Sequence, residues 1–246
     1  MTHARRVEPE WLDQLPAHDP RALRSRRDIL RLNGLMGHAA IMARLLAKYG
    51  PTGAMRTILD LGGSDGIFML RVARRLASHW PTVRLVLIDR HDVVTGETRA
   101  AFAALGWTLE TVIADVFAVL AQGVGERVDV VTSNLFLHQF EDEEITALAA
   151  GSARHAPLFV ACEPRRGRTA SAASRLVWAV GCDEVTRYDA VVSVRGGFRG
   201  KELSALWPAH DQETARRWHL RERAAWPFTH CFVATERRAS AAHGRR

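Results

Sequence analysis

Two kinds of chemistry stand at the ends of apolar runs in this sequence. The stretch ILDLGGSDGIFML, residues 58–70, passes from an apolar run through Asp60 into glycines at 62, 63 and 66, then into a second apolar run. A turn so rich in glycine lets a ligand approach the backbone closely. The acids restrict which ligand. Asp60 and Asp65 would repel a pyrophosphate seated at the start of the following helix, whereas a cationic group without phosphate escapes that repulsion. Neither G-x-G-x-x-G nor Gly-Lys-Ser/Thr is present. Asp89 closes the next apolar run, at the spacing where an acid takes ribose hydroxyls, with Arg90 beside it. The second chemistry is proton transfer. His138 lies just past the run VDVVTSNLFL, and an imidazole there can take a hydroxyl proton near neutrality. Glu141, Asp142, Glu143 and Glu144 read as the first turn of a helix, favoured by its dipole, and not as a metal cluster; no metal is expected.

Each of those groups needs a strand behind it. RTILDL, VRLVLID, TLETVIAD, VDVVTSNLFL and APLFVACE are short apolar runs with little alternation, as strands covered on both faces require. GIFMLRVARRLASHW, TGETRAAFAALG and EDEEITALAAGSARH read as the helices between them. Repeated strand–helix units imply right-handed crossovers in a parallel sheet. RWHLRERAAWPFTHCFVATE then reads as two antiparallel strands about the Trp226-Pro227-Phe228 turn. The fold class expected is α/β: a Rossmann-like doubly wound sheet with a C-terminal antiparallel hairpin and an N-terminal helical cap. The division is a cap over 1–54, the Rossmann-like domain over 55–236 with an insert at about 164–200, and a basic disordered tail over 237–246. In the cap, Asp19 N-caps a helix opened by Pro20, and a second helix ends at Gly50 and Pro51. In the insert, TASAASRLVWAVG reads as a helix and CDEVTRYDAVVSVRGGFRG as a loop-rich segment. Asn33, Met36 and His38 on the cap, with Arg187 and Tyr188 in the insert, are the candidates for lining a substrate pocket.

The run Asp60-Leu61-Gly62-Gly63-Ser64-Asp65-Gly66 resembles the acid-x-Gly-x-Gly-x-Gly motif of class I S-adenosylmethionine-dependent methyltransferases, with Ser64 in place of the middle glycine. IDRHDVV, IADVF and LFLHQFEDEE most resemble the matching pieces of small-molecule O-methyltransferases, and the matches run from about Arg56 to Glu163. The resemblance implies S-adenosylmethionine as cofactor and S-adenosylhomocysteine as product. It places Asp60, Gly62, Gly63, Ser64, Gly66, Asp89 and Arg90 at the cofactor, Asp115 on the adenine amine, Val116 and Phe117 against the ring, and Asn134 at the fourth strand's end. It supports His138 as the base for a phenolic or polyketide-like acceptor. The large dimerisation domain of many such enzymes is missing, so the dimer contact expected here is through the N-terminal helices.

Composition bounds the partners. The chain has 246 residues and a net charge of +7, but only Lys48 and Lys201 are lysine, and the arginine excess reads as codon usage. Nucleic acid is therefore not the expected partner, and the fourth strand ends in Ser133-Asn134-Leu135-Phe136 without the Asn/Asp-Pro-Pro-aromatic motif of amino-group methylases. An RNA methyltransferase, a nicotinamide-dependent oxidoreductase and a non-catalytic cofactor-binding protein are the rival readings. Cys162, Cys182 and Cys231 form no CxxC pair and read as free thiols. No apolar run reaches membrane-span length and the start lacks the apolar core of a signal peptide, so a cytoplasmic protein without membrane contact is expected.

Overall fold

The computed structural model describes residues 4–51, 57–123, 127–208 and 218–237. Seven strands form one sheet: β1 (Thr57–Leu61), β2 (Val83–Asp89), β3 (Trp107–Ile113), β4 (Val130–Asn134), β5 (Leu158–Pro164), β6 (Trp218–Ala225) and β7 (Thr229–Glu236). Their order is β3-β2-β1-β4-β5-β7-β6. The first five are parallel, and β7 returns antiparallel against both β5 and β6. This is the doubly wound sheet with a terminal hairpin that the strand pattern required. The order reverses between β1 and β4, so a crevice opens there at the carboxyl ends of the strands.

The helices are α1 (Trp11–Gln14), α2 (Pro20–Leu35), α3 (His38–Tyr49), α4 (Ile67–Leu76), α5 (Gly96–Ala103), α6 (Val116–Gln122), α7 (Asp142–His155), α8 (Arg168–Ser174), α9 (Glu184–Gly196) and α10 (Glu202–Leu206). Side chains alternate across β1, so Ile58 joins α3, α4 and α5 in one core layer while Leu59 and Leu61 join α6, α7 and α10 in the other. The second helix of the expected cap is core: Met42, Leu45 and Leu46 of α3 have almost no exposed surface and pack on the sheet.

The N-terminal helices therefore divide their work. α3 covers a face of the sheet, while α1 and α2 pack with α8 and α9 into a roof over the crevice. As expected, the Asp19 carboxylate accepts from Arg21 N at the start of α2 and Gly50 closes α3. Glu141 and Glu144 form a capping box at the start of α7, which accounts for the acidic run there. Two expectations for the insert are corrected. TASAASRLVWAVG is a short helix followed by a separate 3₁₀ turn at Val177–Val180, and the segment read as loop-rich is the three-turn helix α9. Its β-branched residues have low helix propensity, but Val185, Asp189, Val192 and Gly196 fall on one buried face and Asp183 caps its start. The expected basic tail lies outside the described residues, apart from Arg237.

Two polar contacts, one part-buried and one buried, join α2 to α9. Asp28 Oδ2 accepts from Asp183 N at 2.9 Å, and Thr186 Oγ1 donates to Ser25 Oγ at 3.0 Å. Asp28→Ala leaves the Asp183 N–H without its partner, a cost of about 1–3 kcal/mol. The expected outcome is a melting temperature lowered by several degrees in differential scanning fluorimetry, and an unchanged value would show that this contact does not hold the roof.

Candidate active site

The crevice between β1 and β4 continues under the roof as a cavity of about 500 Å³. Its floor is the turn after β1. Gly62 N and Gly63 N both donate to Ile88 O, which ties the turn to β2. Gly62 has φ of +69°, and a Cβ there would lie 2.3 Å from Cδ2 of Phe136. Glycine is thus required twice over, by dihedral and by space. Ser64 has φ of +48° and Leu135, at the end of β4, has φ of +52°. Two side-chain-bearing residues held left-handed on either side of one crevice mark stored backbone strain at a site. Asn134 precedes the second of them and lines the cavity.

Carboxylates set the electrostatics of this floor. Asp60 is buried and accepts from Thr132 Oγ1 at 2.6 Å. Burial drives its pKa up to about 7 against the opposing Thr132 bond. Asp89 accepts from Ser64 N and His91 N, both at 2.9 Å, and so fixes the turn to the end of β2. Asp65 accepts from Ile67 N, and burial raises its pKa as well. Asp115 caps α6 by accepting from Phe117 N and Ala118 N while its side chain also reaches the cavity. Arg90 is exposed at the rim. A floor of this kind favours a cation over a phosphate.

The far end is built around His138, on the short turn after β4. Its ring is almost wholly buried between two carboxylates: Nδ1 lies 2.9 Å from Glu163 Oε2 and Nε2 lies 3.0 Å from Glu10 Oε1. Burial alone would lower the imidazole pKa, but the bonds to Glu10 and Glu163 raise it to about 10. Both nitrogens therefore donate, and His138 is an imidazolium at neutral pH. This corrects the expectation of a ready base: the ring as found has no lone pair to offer an acceptor. Burial pushes Glu10 upward, but the bonds from His138, Ser193 and Gln139 carry its pKa below the usual carboxylate range. Glu163 also accepts from Phe136 N, at 3.1 Å, and from Leu137 N, at 3.0 Å.

The remaining predicted residues divide. Asn33, Met36, His38 and Val116 line the cavity. His38 Nε2 is 2.8 Å from Thr229 Oγ1, the same imidazole interacts with the Asn134 side chain, and Asn33 Oδ1 is buried without a hydrogen-bond partner. Burial lowers the His38 pKa to about 4, so this second imidazole is neutral. Three expectations are corrected. Phe117 is not on the wall; it packs edge-on against Phe140, their centroids 5.4 Å apart. Arg187 points away on the exposed face of α9, and Tyr188 stacks on Trp11 at 4.3 Å. Their neighbours Thr186, Asp189 and Ala190 line the wall in their place. Gly66 stands behind the turn as the left-handed N-cap of α4. Glu163 and Glu10 were missed. Glu163 carries the same strand-end signal as Asp60 and Asp89, but Glu10 carries no local signal. Among the described residues no group of His, Cys, Asp and Glu is arranged to hold a metal, and no helix is long and apolar enough to cross a membrane.

No protein-family model matches the chain, and no curated protein matches it. Solved structures do. An O-methyltransferase family protein from Burkholderia thailandensis is 18% identical with a TM-score of 0.57, over 89% of this chain and 61% of that one. The mitomycin 7-O-methyltransferase MmcR is 18% identical with a TM-score of 0.59, over 92% and 60%. Human N-acetylserotonin methyltransferase in complex with SAM is 13% identical with a TM-score of 0.50, over 91% and 61%. The chain spans about three fifths of the length of each. The likeness shows the fold: this is the Rossmann-like α/β sheet with reversed last strand found in those methyltransferases.

The raised Asp60 pKa has a consequence for stability. The folded protein holds a proton there that the unfolded chain gives up near pH 4, so stability falls as pH rises from about 4 to about 7. The loss is on the order of a few kcal/mol. Asp60→Asn removes it. The variant's melting temperature should exceed that of the native protein at pH 8 and approach it at pH 5; parallel curves would show that Asp60 is ionised at no cost.

Proposed function

We propose that the protein transfers a methyl group from S-adenosylmethionine to a hydroxyl of a small molecule, of phenolic or polyketide-like type. The observation that carries this reading is the acid-walled glycine turn, with Asp60 buried, Asp89 bonded to the turn itself and Asp115 at the next strand end. The residues present fit the cofactor. Its sulfonium and ammonium groups bring the positive charge that Asp60 and its neighbours favour. Asn134 Oδ1, buried on the same wall, is an acceptor for an ammonium donor. Asp89 keeps lone pairs for ribose hydroxyls, and Asp115 stands beside Ala114 and Val116 where an adenine edge would meet them. When bound, the cofactor supplies an electrophilic methyl group and leaves as a neutral thioether, so no strong charge stabiliser is needed.

The chain's own work is to align, exclude water and place a proton. The roof of α2, α8 and α9 covers the cavity and limits the access of bulk water to the acceptor. Met36, Phe136 and Phe140 supply apolar wall for an aromatic or polycyclic body, while Asn33 and the neutral His38 present polar atoms to its substituents. His138, backed by Glu163, is the group placed to receive the hydroxyl proton once Nε2 is free. The exposed Leu23 and Leu35 on α2 suit a homodimer contact through the N-terminal helices.

Calorimetry tests the reading. S-adenosylmethionine should bind, Asp89→Ala should weaken it by about tenfold or more, roughly 1.4 kcal/mol, and Gly62→Ala should abolish binding through its clash with Phe136. A protein that ignores this cofactor while binding NAD would overturn the proposal.

A further inference from the structure

Resting on the reading above, in which an acceptor hydroxyl loses its proton, the geometry points to Glu10 as a positioning residue that latches His138. The strap of residues 5–14 seats the Glu10 carboxylate on Nε2, the one ring nitrogen that an acceptor hydroxyl needs. Nδ1 is committed to Glu163, which is fully buried in β5 and bound to the backbone after β4, so that side of the ring is fixed. Glu10 is held differently. It comes from a segment remote in sequence, lies on the cavity wall, and among the described residues takes further bonds from Ser193 and Gln139.

The strap is fastened by polar contacts and not by core side chains. The Arg5 guanidinium bonds Phe140 O, Gly196 O and Asp142, and Arg6 N donates to Arg195 O. Trp11 N and Leu12 N donate to the Asp189 carboxylate, Trp11 stacks on Tyr188, and α1 buries none of its residues. Such a segment can lift without opening the hydrophobic core. The charged groups facing His138 are Glu163 from β5 and Glu10 from the strap. Asp13 and Asp189 stand behind Glu10, Arg5 bonds near the His138 carbonyl, and His38 on α3 lies within range of Glu163.

While the strap is seated the ring carries both protons. Its withdrawal takes one carboxylate away and lets Nε2 release its proton to water. The acceptor's O–H bond can then break as an N–H bond forms at Nε2, the electron pair staying on oxygen and Glu163 still holding Nδ1.

The test is an NMR titration of His138 in the protein without cofactor, set beside the pH profile of kcat/KM. In Glu10→Gln, His138 should titrate at least about one pH unit lower, and the rising limb of the profile should move with it. Turnover near neutral pH then increases by about tenfold or more. Arg5→Ala, which loosens the strap while leaving the Glu10 carboxylate intact, should shift both in the same direction by less. A titration unmoved in both variants, or turnover lowered at every pH with the limb in place, overturns the latch. Calorimetry separates the two claims: cofactor binding with an unmoved titration sinks the latch alone, whereas no cofactor binding with a shifted titration sinks the methyltransferase reading.

Discussion

A carboxylate without solvent must be surrounded by donors, and Glu163 is the one on which this site depends. It has no exposed surface, and it is held by the His138 imidazole and by N–H groups of the turn after β4. An unpaired charge in that position would cost several kcal/mol, so the turn cannot relax without exposing or stranding it. The left-handed Leu135 is the local expression of this demand: a reversal there aims successive N–H groups at one carboxylate. Phe136, placed by the same turn, fills the space over Gly62 and thereby shapes the floor beneath β1. One buried acid in β5 thus sets the geometry of two neighbouring strand ends.

The electrostatic character of the cavity runs against that of the chain. The protein carries a net charge of +7, yet Asp60, Asp65, Asp89, Asp115, Asp189 and Glu10 all reach the cavity wall. Net charge describes solubility and long-range attraction, whereas ligand choice is decided by the few groups inside a desolvated cavity. Burial makes three of these acids reluctant to ionise: the Asp65 carboxyl is raised, and Asp60 and Asp189 are both driven up to about 7. A cation arriving beside them relieves the very penalty that burial imposes. The two histidines show the same rule with opposite results. His138, paired with carboxylates on both sides, is charged; His38, buried with only a neutral partner on its nitrogen, is not.

The roof explains how a cavity of this size is covered. α2 and α9 come from opposite ends of the sequence and meet through Asp28, Asp183, Ser25 and Thr186. The strap before α1 completes the cover by reaching the β4 turn. Three segments that share no local sequence signal make one wall.

Whatever short-range rules govern could be read along the chain. Apolar runs of strand length, the glycines of the first turn, the Asp19 cap and the acidic start of α7 each dictate their own local structure, and together they specify the sheet and the floor of the crevice. Asp60 and Asp89 were legible because they sit at strand ends, and Glu163 carried the same signal without its meaning being evident until its partners were seen. Folding in three dimensions supplied the rest. α9 reads as a loop because its helix is stabilised by burial of one face and not by propensity. Phe117 and Phe140, Tyr188 and Trp11, and above all His138 and Glu10 are pairs whose members are far apart in sequence. Whether an imidazole is neutral or charged depends on carboxylates that only folding brings to it, and no spacing along the chain encodes that proximity.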